Sequence, residues 1–359
     1  ESGNRDSVIV RGKGFLEDDA LIFMKFATND TIRNITIDHI DGGTFAKGNS
    51  VQAIQCYSCK LDSCIIKGGY NSNLSYYYGS EIIVKNGYSD LPDASFSVEN
   101  CSILTKAFGI YYTGAKGKLF VKNSIIQTDQ ALSIVADYTD FSEITGNFIS
   151  GKIYTSYSKN IKLHDNTIGG TIELSGFGLN MQNNIVQGNG EYTSRISSGY
   201  PIINNNVFMN RVYMGSLKPN LTNCHFSDLS IITFVGGVIE NCTFELLEII
   251  DGKNINLRSC RINKELSIIG DHSASGTNQM INNFVSDYFS LRSTENWKMY
   301  HNSFNLQVID WQLVFDLDIK GNNFVIDSSV YYLDFGLYFD SDYNNYFPEG
   351  GDTEPHHYN

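Results

Sequence analysis

Apolar and polar residues follow one short pattern that recurs along most of the chain. In each copy an apolar and a polar residue precede Asn or Ser, then Cys or Asn, one further residue and a hydrophobe, as in "VIENCTFELLEII" and "MQNNIV". A second short alternating segment soon follows, such as "KIYTS" or "LEIID". Alternation with a period of two is typical of a strand with one buried face. The pattern therefore predicts an all-β chain.

One position of the pattern, which we call the ladder position, recurs at steps of 18 to 23 residues. Strands that repeat at this period predict a solenoid, whose stacked coils lie about 4.8 Å apart. The ladder position then forms a column in which Asn amides bond from coil to coil. It is occupied by Cys101, Ser124, Asn147, Asn166, Asn184, Asn206, Cys224, Cys242, Cys260, Asn283, Asn302 and Asn322, with an earlier copy at Cys64.

The period and the Asn column resemble the pectin-lyase-like superfamily over about residues 30–345. This resemblance implies a single-stranded, right-handed parallel β-helix, and the handedness comes from the resemblance alone. We predict about 13 or 14 coils of 18–23 residues within residues 1–345, interrupted by an insertion at about 67–95. Residues 346–359 are expected to form a capping tail or the start of a following segment.

Composition limits the possible partners, and the C-terminal tail resembles those of surface proteins. The net charge is −13, which argues against nucleic acid and anionic membranes as partners, and no apolar run is long enough to insert into a membrane. The chain begins "ESGNRDS", and its aromatic end is similar to tails that close β-helix domains of large bacterial surface proteins. We therefore expect an extracellular or bacterial cell-surface location, with further domains in the same polypeptide.

The seven cysteines are predicted to be buried free thiols, because most of them occupy the ladder position. Cys56 and Cys59 form a CxxC with Cys64 behind it, but a second half with zinc-ligand spacing is missing. We expect no resident metal or cofactor from these residues.

Four carboxylates near the N-terminus are the candidate catalytic residues. Asp18 and Asp38 are 20 residues apart, and Asp19 and Asp41 are 22 residues apart, so each pair could lie on adjacent coils. Paired carboxylates can act as acid and base in a glycoside hydrolase. They can equally hold Ca²⁺ through their oxygens, or simply be solvated turn residues.

Aromatic and acidic residues give two candidate glycan-binding surfaces. The insertion carries Tyr76, Tyr77 and Tyr78, whose ring faces suit sugar C–H groups. The second strand of each coil places a row of Tyr, Glu and Ser on its outward face, and ordinary strand surface is the alternative explanation. This row includes Tyr111, Ser133, Tyr154, Glu173, Tyr213, Ser230 and Glu248.

Two functional hypotheses remain open on the sequence. The favoured one is a polysaccharide-associated protein that binds a cell-surface glycan or serves as a scaffold or adhesive segment of a larger surface protein. The alternative is a glycoside hydrolase or polysaccharide lyase that uses the N-terminal carboxylates. The Asn-Thr-Asp-Gly, Gly-His-Gly and Arg-Ile-Lys motifs of polygalacturonases are absent from the chain, which favours binding over catalysis.

Overall fold

The computed structural model describes most of the chain as β-strand. Among the described residues no helix occurs. The described residues are 8–12, 20–39, 49–68, 80–86, 94–106, 108–114, 117–129, 132–188, 193–216, 218–270, 276–327, 332–335, 339–342 and 344–349.

The fold is an all-β parallel β-solenoid of about 11 turns, which confirms the predicted fold class. The sequence predicts 13 or 14 coils, which is more than the number of turns observed. The chain divides into two compact units, residues 1–192 and 193–359, and each is described by itself.

The first unit contains 22 strands in chain order. They are β1 (Ile9–Gly12), β2 (Ala20–Lys25), β3 (Thr31–Arg33), β4 (Thr36–His39), β5 (Asn49–Ile54), β6 (Cys59–Asp62), β7 (Ile65–Gly68), β8 (Ser80–Lys85), β9 (Ser95–Glu99), β10 (Ser102–Thr105), β11 (Phe108–Thr113), β12 (Lys118–Lys122), β13 (Ile125–Thr128), β14 (Leu132–Asp137), β15 (Phe141–Thr145), β16 (Phe148–Ile149), β17 (Lys152–Lys159), β18 (Ile161–His164), β19 (Thr167–Ile168), β20 (Ile172–Phe177), β21 (Asn180–Gln182) and β22 (Ile185–Val186).

Every third strand of the first unit pairs in parallel, which produces three rows. The first row runs β1–β4–β7–β10–β13–β16–β19–β22, the second β2–β5–β8–β11–β14–β17–β20, and the third β3–β6–β9–β12–β15–β18–β21. Each coil therefore supplies one strand to each row. β8 lies inside the predicted insertion at 67–95, so the second row continues through that segment.

The second unit contains 15 strands, several of which pass through a corner without interruption. They are β23 (Ser194–Ser198), β24 (Ile202–Asn204), β25 (Val207–Phe208), β26 (Val212–Ser216), β27 (Asn220–Thr222), β28 (His225–Glu240), β29 (Thr243–Arg258), β30 (Arg261–Ile269), β31 (Asn278–Ile281), β32 (Phe284–Tyr300), β33 (Ser303–Lys320), β34 (Asn323–Asp327), β35 (Tyr332–Phe335), β36 (Phe339–Asp342) and β37 (Asn345–Glu349).

The long strands of the second unit stay in parallel register with their neighbours. β28 pairs with β29, β29 with β30, and β32 with β33, each on both sides of a register shift. β37 pairs with β34, so the parallel pairing of the second unit continues to Glu349, four residues beyond the predicted end of the solenoid at residue 345.

Columns of apolar side chains form the core. In the second unit Phe208, Phe226 and Phe244 stack face to face on successive coils, with ring centroids 4.9 and 4.6 Å apart. Phe304 and Phe324 stack in the same way at 4.6 Å. The in-register coils place identical positions above one another, so like rings meet like rings.

The ladder position is a buried column of hydrogen bonds. The Asn147 amide group donates to Asn166 Oδ1 (2.9 Å), and the Asn166 amide group donates to Asn184 Oδ1 (2.9 Å). In the second unit Asn302 donates in the same way to Asn322 Oδ1 (2.9 Å). This confirms that residues about one coil apart become vertical neighbours within each unit.

Candidate functional site

Most of the predicted catalytic residues lie outside the described residues. This applies to Asp18, Asp19 and Asp41, and also to the predicted glycan-binding residues Tyr76, Tyr77 and Tyr78. Asp38 is described and lies in β4, where its Oδ2 forms an ion pair with Arg11 Nη2 at 2.7 Å. Arg11 belongs to the preceding coil, so this carboxylate is held by a cation on an adjacent strand.

The predicted row in the first unit is partly buried. Register places Tyr111, Val135, Tyr154 and Glu173 directly above one another on the outward face of the second row. Tyr111 is only 7% exposed, because it packs in an apolar cluster with Ile83 and Val135. The row does not contain Ser133, which was predicted to belong to it.

The accessible part of this row is Tyr154 and Glu173. Tyr154 packs against the apolar cluster, and Lys152 Nζ lies 5.7 Å from its ring centroid. Lys152 also forms an ion pair with Glu173. Lys152 therefore contacts both the Tyr154 ring and the Glu173 carboxylate and orients the two side chains.

A turn of the first unit exposes three aromatic side chains that the sequence analysis did not select. Tyr138 directly follows β14, and Tyr157 lies in β17 where its pairing with β20 shifts register; the two rings stack with centroids 5.0 Å apart and planes 10° apart. Phe177 lies on the next coil, where it pairs in register with Lys159. We call Tyr138, Tyr157 and Phe177 the aromatic turn.

The aromatic turn is exposed although its residues are apolar. Tyr138 is 51% exposed, Tyr157 is 73% exposed and Phe177 is 63% exposed. Two residues after the stacked tyrosines, Lys159 Nζ lies 3.6 Å from Asp140 Oδ1, so an exposed charged pair accompanies the ring stack along the chain. Clustered exposed aromatic rings next to polar groups are typical of a binding surface.

The backbone at the two tyrosines is in the left-handed region. Tyr138 has a φ of 55° and Tyr157 has a φ of 50°. A bulky residue adopts this conformation at a cost of about 1–2 kcal/mol, whereas Asn and Gly tolerate it. Elsewhere most residues at positive φ in this chain are Asn, Asp, Ser or Gly. The two rings are therefore placed at positions that backbone preference alone would not give to Tyr.

A buried polar network surrounds Glu81 in the first unit. Its Oε2 accepts a hydrogen bond from Ser50 Oγ (2.6 Å) and lies 3.2 Å from His39 Nδ1. Its Oε1 accepts a hydrogen bond from Thr105 Oγ1 (3.1 Å). A Cβ at Gly68 would come within 2.1 Å of Oε1, so neighbouring atoms fill the space. We interpret this closed network as structural.

The corresponding row of the second unit is mostly polar. Register aligns Tyr213, Ile231, Glu248, Ser267, Ser290 and Asp310. Ser230, predicted for this row, instead faces the core, because it pairs with the buried Val212. Two residues before Ser267 lies Glu265, which pairs with Tyr288 on the next coil. We call this surface the outer strip: Tyr213, Glu248, Glu265, Ser267, Tyr288, Ser290, Arg292 and Asp310.

One end of the outer strip is a hydrogen-bonded network around Asp310. Arg292 donates to Asp310 Oδ2 through Nε (3.1 Å) and through Nη2, and Gln312 donates to Oδ1 (2.7 Å). Tyr288 also donates to Oδ2, at 3.3 Å. Burial raises the pKa of Asp310, but the bonds from Arg292 and Gln312 outweigh it and hold this pKa below its usual value.

The cysteines are all free and buried, which confirms the prediction for them. No group of three His, Cys, Asp or Glu side chains in the described part of the chain converges in a way that could hold a metal ion. Within the same described ranges, no helix has the length and apolarity needed to cross a membrane.

Comparison with known proteins does not indicate a function for this chain. No protein-family model matches the chain, and no curated protein matches it significantly. The aromatic turn and the outer strip therefore carry the functional argument. Sequence reasoning selected Tyr213 and Glu248 from their alternation, but it missed the aromatic turn, whose only signal is Tyr in a turn position that favours Asn or Gly.

Proposed function

We propose that this chain is an extracellular, surface-associated β-solenoid of the right-handed, pectin-lyase-like kind that binds a cell-surface polysaccharide. The observation that carries the proposal is the exposed, stacked pair of Tyr138 and Tyr157. An exposed aromatic face suits the C–H groups of a pyranose ring, and the polar tip of Tyr remains available for a sugar hydroxyl.

The cost of placing the two tyrosines supports a binding role over an incidental one. Both backbones are in the left-handed region, and both rings remain largely in water, so neither conformational preference nor burial explains them. The fold supplies left-handed corners but does not require Tyr at them, and an unfavourable residue at such a position is a reason to infer function. Binding a glycan would recover this cost, because the sugar covers the exposed ring.

The Lys159–Asp140 pair supplies the polar side of such a site. Asp140 and Lys159 each lie two residues after a stacked tyrosine, and Asn160 Nδ2 donates to the Asp140 carbonyl at 3.2 Å. Carboxylate and ammonium groups at the rim of an aromatic surface orient sugar hydroxyls. The arrangement supports recognition of a glycan over an apolar partner.

A glycan array tests the proposal, with the double variant Tyr138→Asn/Tyr157→Asn as the diagnostic protein. We expect wild type to bind at least one polysaccharide, and the double variant to bind it about tenfold or more weakly, a loss of about 1.4 kcal/mol. Asn favours the left-handed backbone, so the melting temperature should stay the same or rise. If the double variant binds the glycan more weakly but remains folded, the loss of affinity is due to the two tyrosine rings.

Tyr200→Asn is the matched control, because Tyr200 is also an exposed tyrosine but belongs to the second unit. This variant should bind as wild type does. Equal binding by the double variant and wild type would reject the aromatic turn as the binding surface. New reducing ends or unsaturated uronates from a bound glycan would identify a hydrolase or lyase instead of a binding module.

A further inference from the structure

The outer strip of the second unit concentrates carboxylates on one outward face. Glu248 pairs in register with Ser267, Glu265 with Tyr288, and Asp310 with Ser290, so the three carboxylates lie on three different coils. Coils are about 4.8 Å apart, which spreads Glu248 and Asp310 over about 14 Å along the strip. The strip therefore presents a line of negative charge.

Nearby cations compensate only part of this charge. Arg292 pairs with Asp310, and Lys264 Nζ contacts Glu245 Oε2 (3.3 Å), not its sequence neighbour Glu265. Neither Glu248 nor Glu265 forms an ion pair with another residue of the described ranges. Three carboxylates against one guanidinium leave two negative charges uncompensated, on a chain whose own net charge is −13.

A buried hydroxyl in the same strip lacks a hydrogen-bond partner. Ser290 is 1% exposed, and its Oγ has no partner among the residues that the structure describes. Tyr288 and Arg292, two residues away on either side, both reach Asp310 on the next coil, so they enclose Ser290. A buried polar group without a partner is unfavourable, and a ligand atom that accepts or donates there relieves it.

We propose that the outer strip binds primary ammonium groups of an extended ligand, either a deacetylated amino-sugar chain or a linear polyamine. Each ammonium has three donors and no acceptor, which complements the Glu248 and Glu265 carboxylates and the oxygen of Ser290. The carboxylates are spread along the solenoid and do not converge on one point, which suits several cations in a row. The Tyr213 ring at the other end offers a stacking surface for a sugar.

This inference rests on the second unit alone and is independent of the aromatic turn. Calorimetric titration at low salt and mildly acidic pH should compare three probes: a fully deacetylated chitosan oligomer, its N-acetylated counterpart, and spermidine. We expect the deacetylated oligomer to bind at least tenfold more tightly than the acetylated one, with affinity that falls as salt rises. Spermidine binding without chitosan binding would support the ammonium site and identify a polyamine as its source.

Substitutions distinguish binding by the outer strip from nonspecific attraction to the net negative charge of the chain. Glu248→Gln/Glu265→Gln should abolish the preference for the amine, whereas Glu99→Gln/Glu143→Gln makes the same charge change on the first unit and should preserve it. Ser290→Ala should weaken amine binding several-fold while the melting temperature stays the same or rises, since an unpaired buried hydroxyl is removed. Equal affinity for acetylated and deacetylated oligomers with no spermidine binding, or no loss in the strip variants, would overturn the proposal.

Discussion

Two adjacent residues make the corner between one coil and the next. The first adopts a left-handed backbone and is exposed, as Asn241 does with a φ of 54°, and the second occupies the buried ladder position, as Cys242 does. Asn suits the first position because it tolerates positive φ, and Asn suits the second because its amide can bond up and down the column. One dipeptide therefore both turns the chain and fixes its vertical register.

Asn302→Leu tests the ladder at a single residue. Asn302 accepts a hydrogen bond from the Asn283 backbone N–H (2.9 Å) and donates to the Met280 carbonyl (2.9 Å), so Leu would leave both buried groups unpaired. Each unpaired group costs about 1–3 kcal/mol. Chemical denaturation should show this loss. Asn305→Leu, at an exposed position of β33, which begins directly after Asn302, should change stability by about 0.5 kcal/mol or less.

Thiol labelling tests the burial of the ladder cysteines. The hydrogen bond from Cys224 lowers the pKa of Cys242, but its bond to Cys260 and its burial raise this pKa to about 12. A hydrogen bond from Cys101 lowers the pKa of Cys64 to about 7, yet Cys64 is fully enclosed. A thiol reagent at about pH 8 should therefore leave native protein unlabelled and modify all seven cysteines after denaturation. Rapid labelling of Cys64 in the native state would contradict this.

Residue identity predicted the ladder but not the aromatic turn. A column of Asn and Cys at a regular step has one physical explanation, stacked coils, so the sequence sufficed for Asn147, Asn166 and Asn184. Tyr138 and Tyr157 fall outside the repeated pattern, and their stacking depends on the exact turn length after the second row. Composition alone could not distinguish them from other surface tyrosines.

At the scale of the strand, alternation identifies the buried face, but turn length sets the register. Ser133 and Ser230 were predicted to lie on the outward row, whereas Val135 and Ile231 occupy it. Irregularities such as the one between Phe226 and Leu229, just before Ser230, shift pairing by one residue and reverse the face of a side chain. The sequence therefore predicted where strands occur, but it predicted only some of the residues that lie on their outward face.

The stacked phenylalanines should contribute strongly to cohesion between strands. Phe226 lies between Phe208 and Phe244 and is fully buried, so Phe226→Ala removes two ring contacts and leaves a cavity. We expect a loss of about 3–5 kcal/mol in the free energy of unfolding. Met209→Ala, at an exposed position close to the same column, should change it little. Equal effects of the two changes would argue against the stack.

The Asp310 network should make the second unit sensitive to acid. The folded-state pKa of Asp310 lies below its usual value, so its ionised form stabilises the fold above the unfolded pKa of about 3.9. This contribution is lost as pH falls through the lower folded pKa. The stability difference between wild type and Asp310→Asn should therefore be large at neutral pH and shrink in acid. Asp316→Asn, an exposed position of the same strand, should show no such trend.

At the scale of the molecule, the coil is the unit of construction, so whole coils should be removable. Deleting residues 224–241 takes out 18 residues and joins one left-handed corner to the next ladder position. We expect the shortened chain to fold cooperatively with a β-rich circular dichroism spectrum, because each coil contacts mainly its neighbours. Deleting only 224–232, an odd half-coil of 9 residues, should abolish cooperative unfolding, since every following side chain changes face.

Because each strand bonds to one laid down a single coil earlier, no part of either unit waits for a distant segment before it can pair. A nascent chain can therefore grow by accretion, each emerging coil using the last completed one as its template. The most recently added strand always has an unpaired edge. If synthesis stalls midway, the exposed N–H and C=O groups of that edge can pair with another chain and cause aggregation.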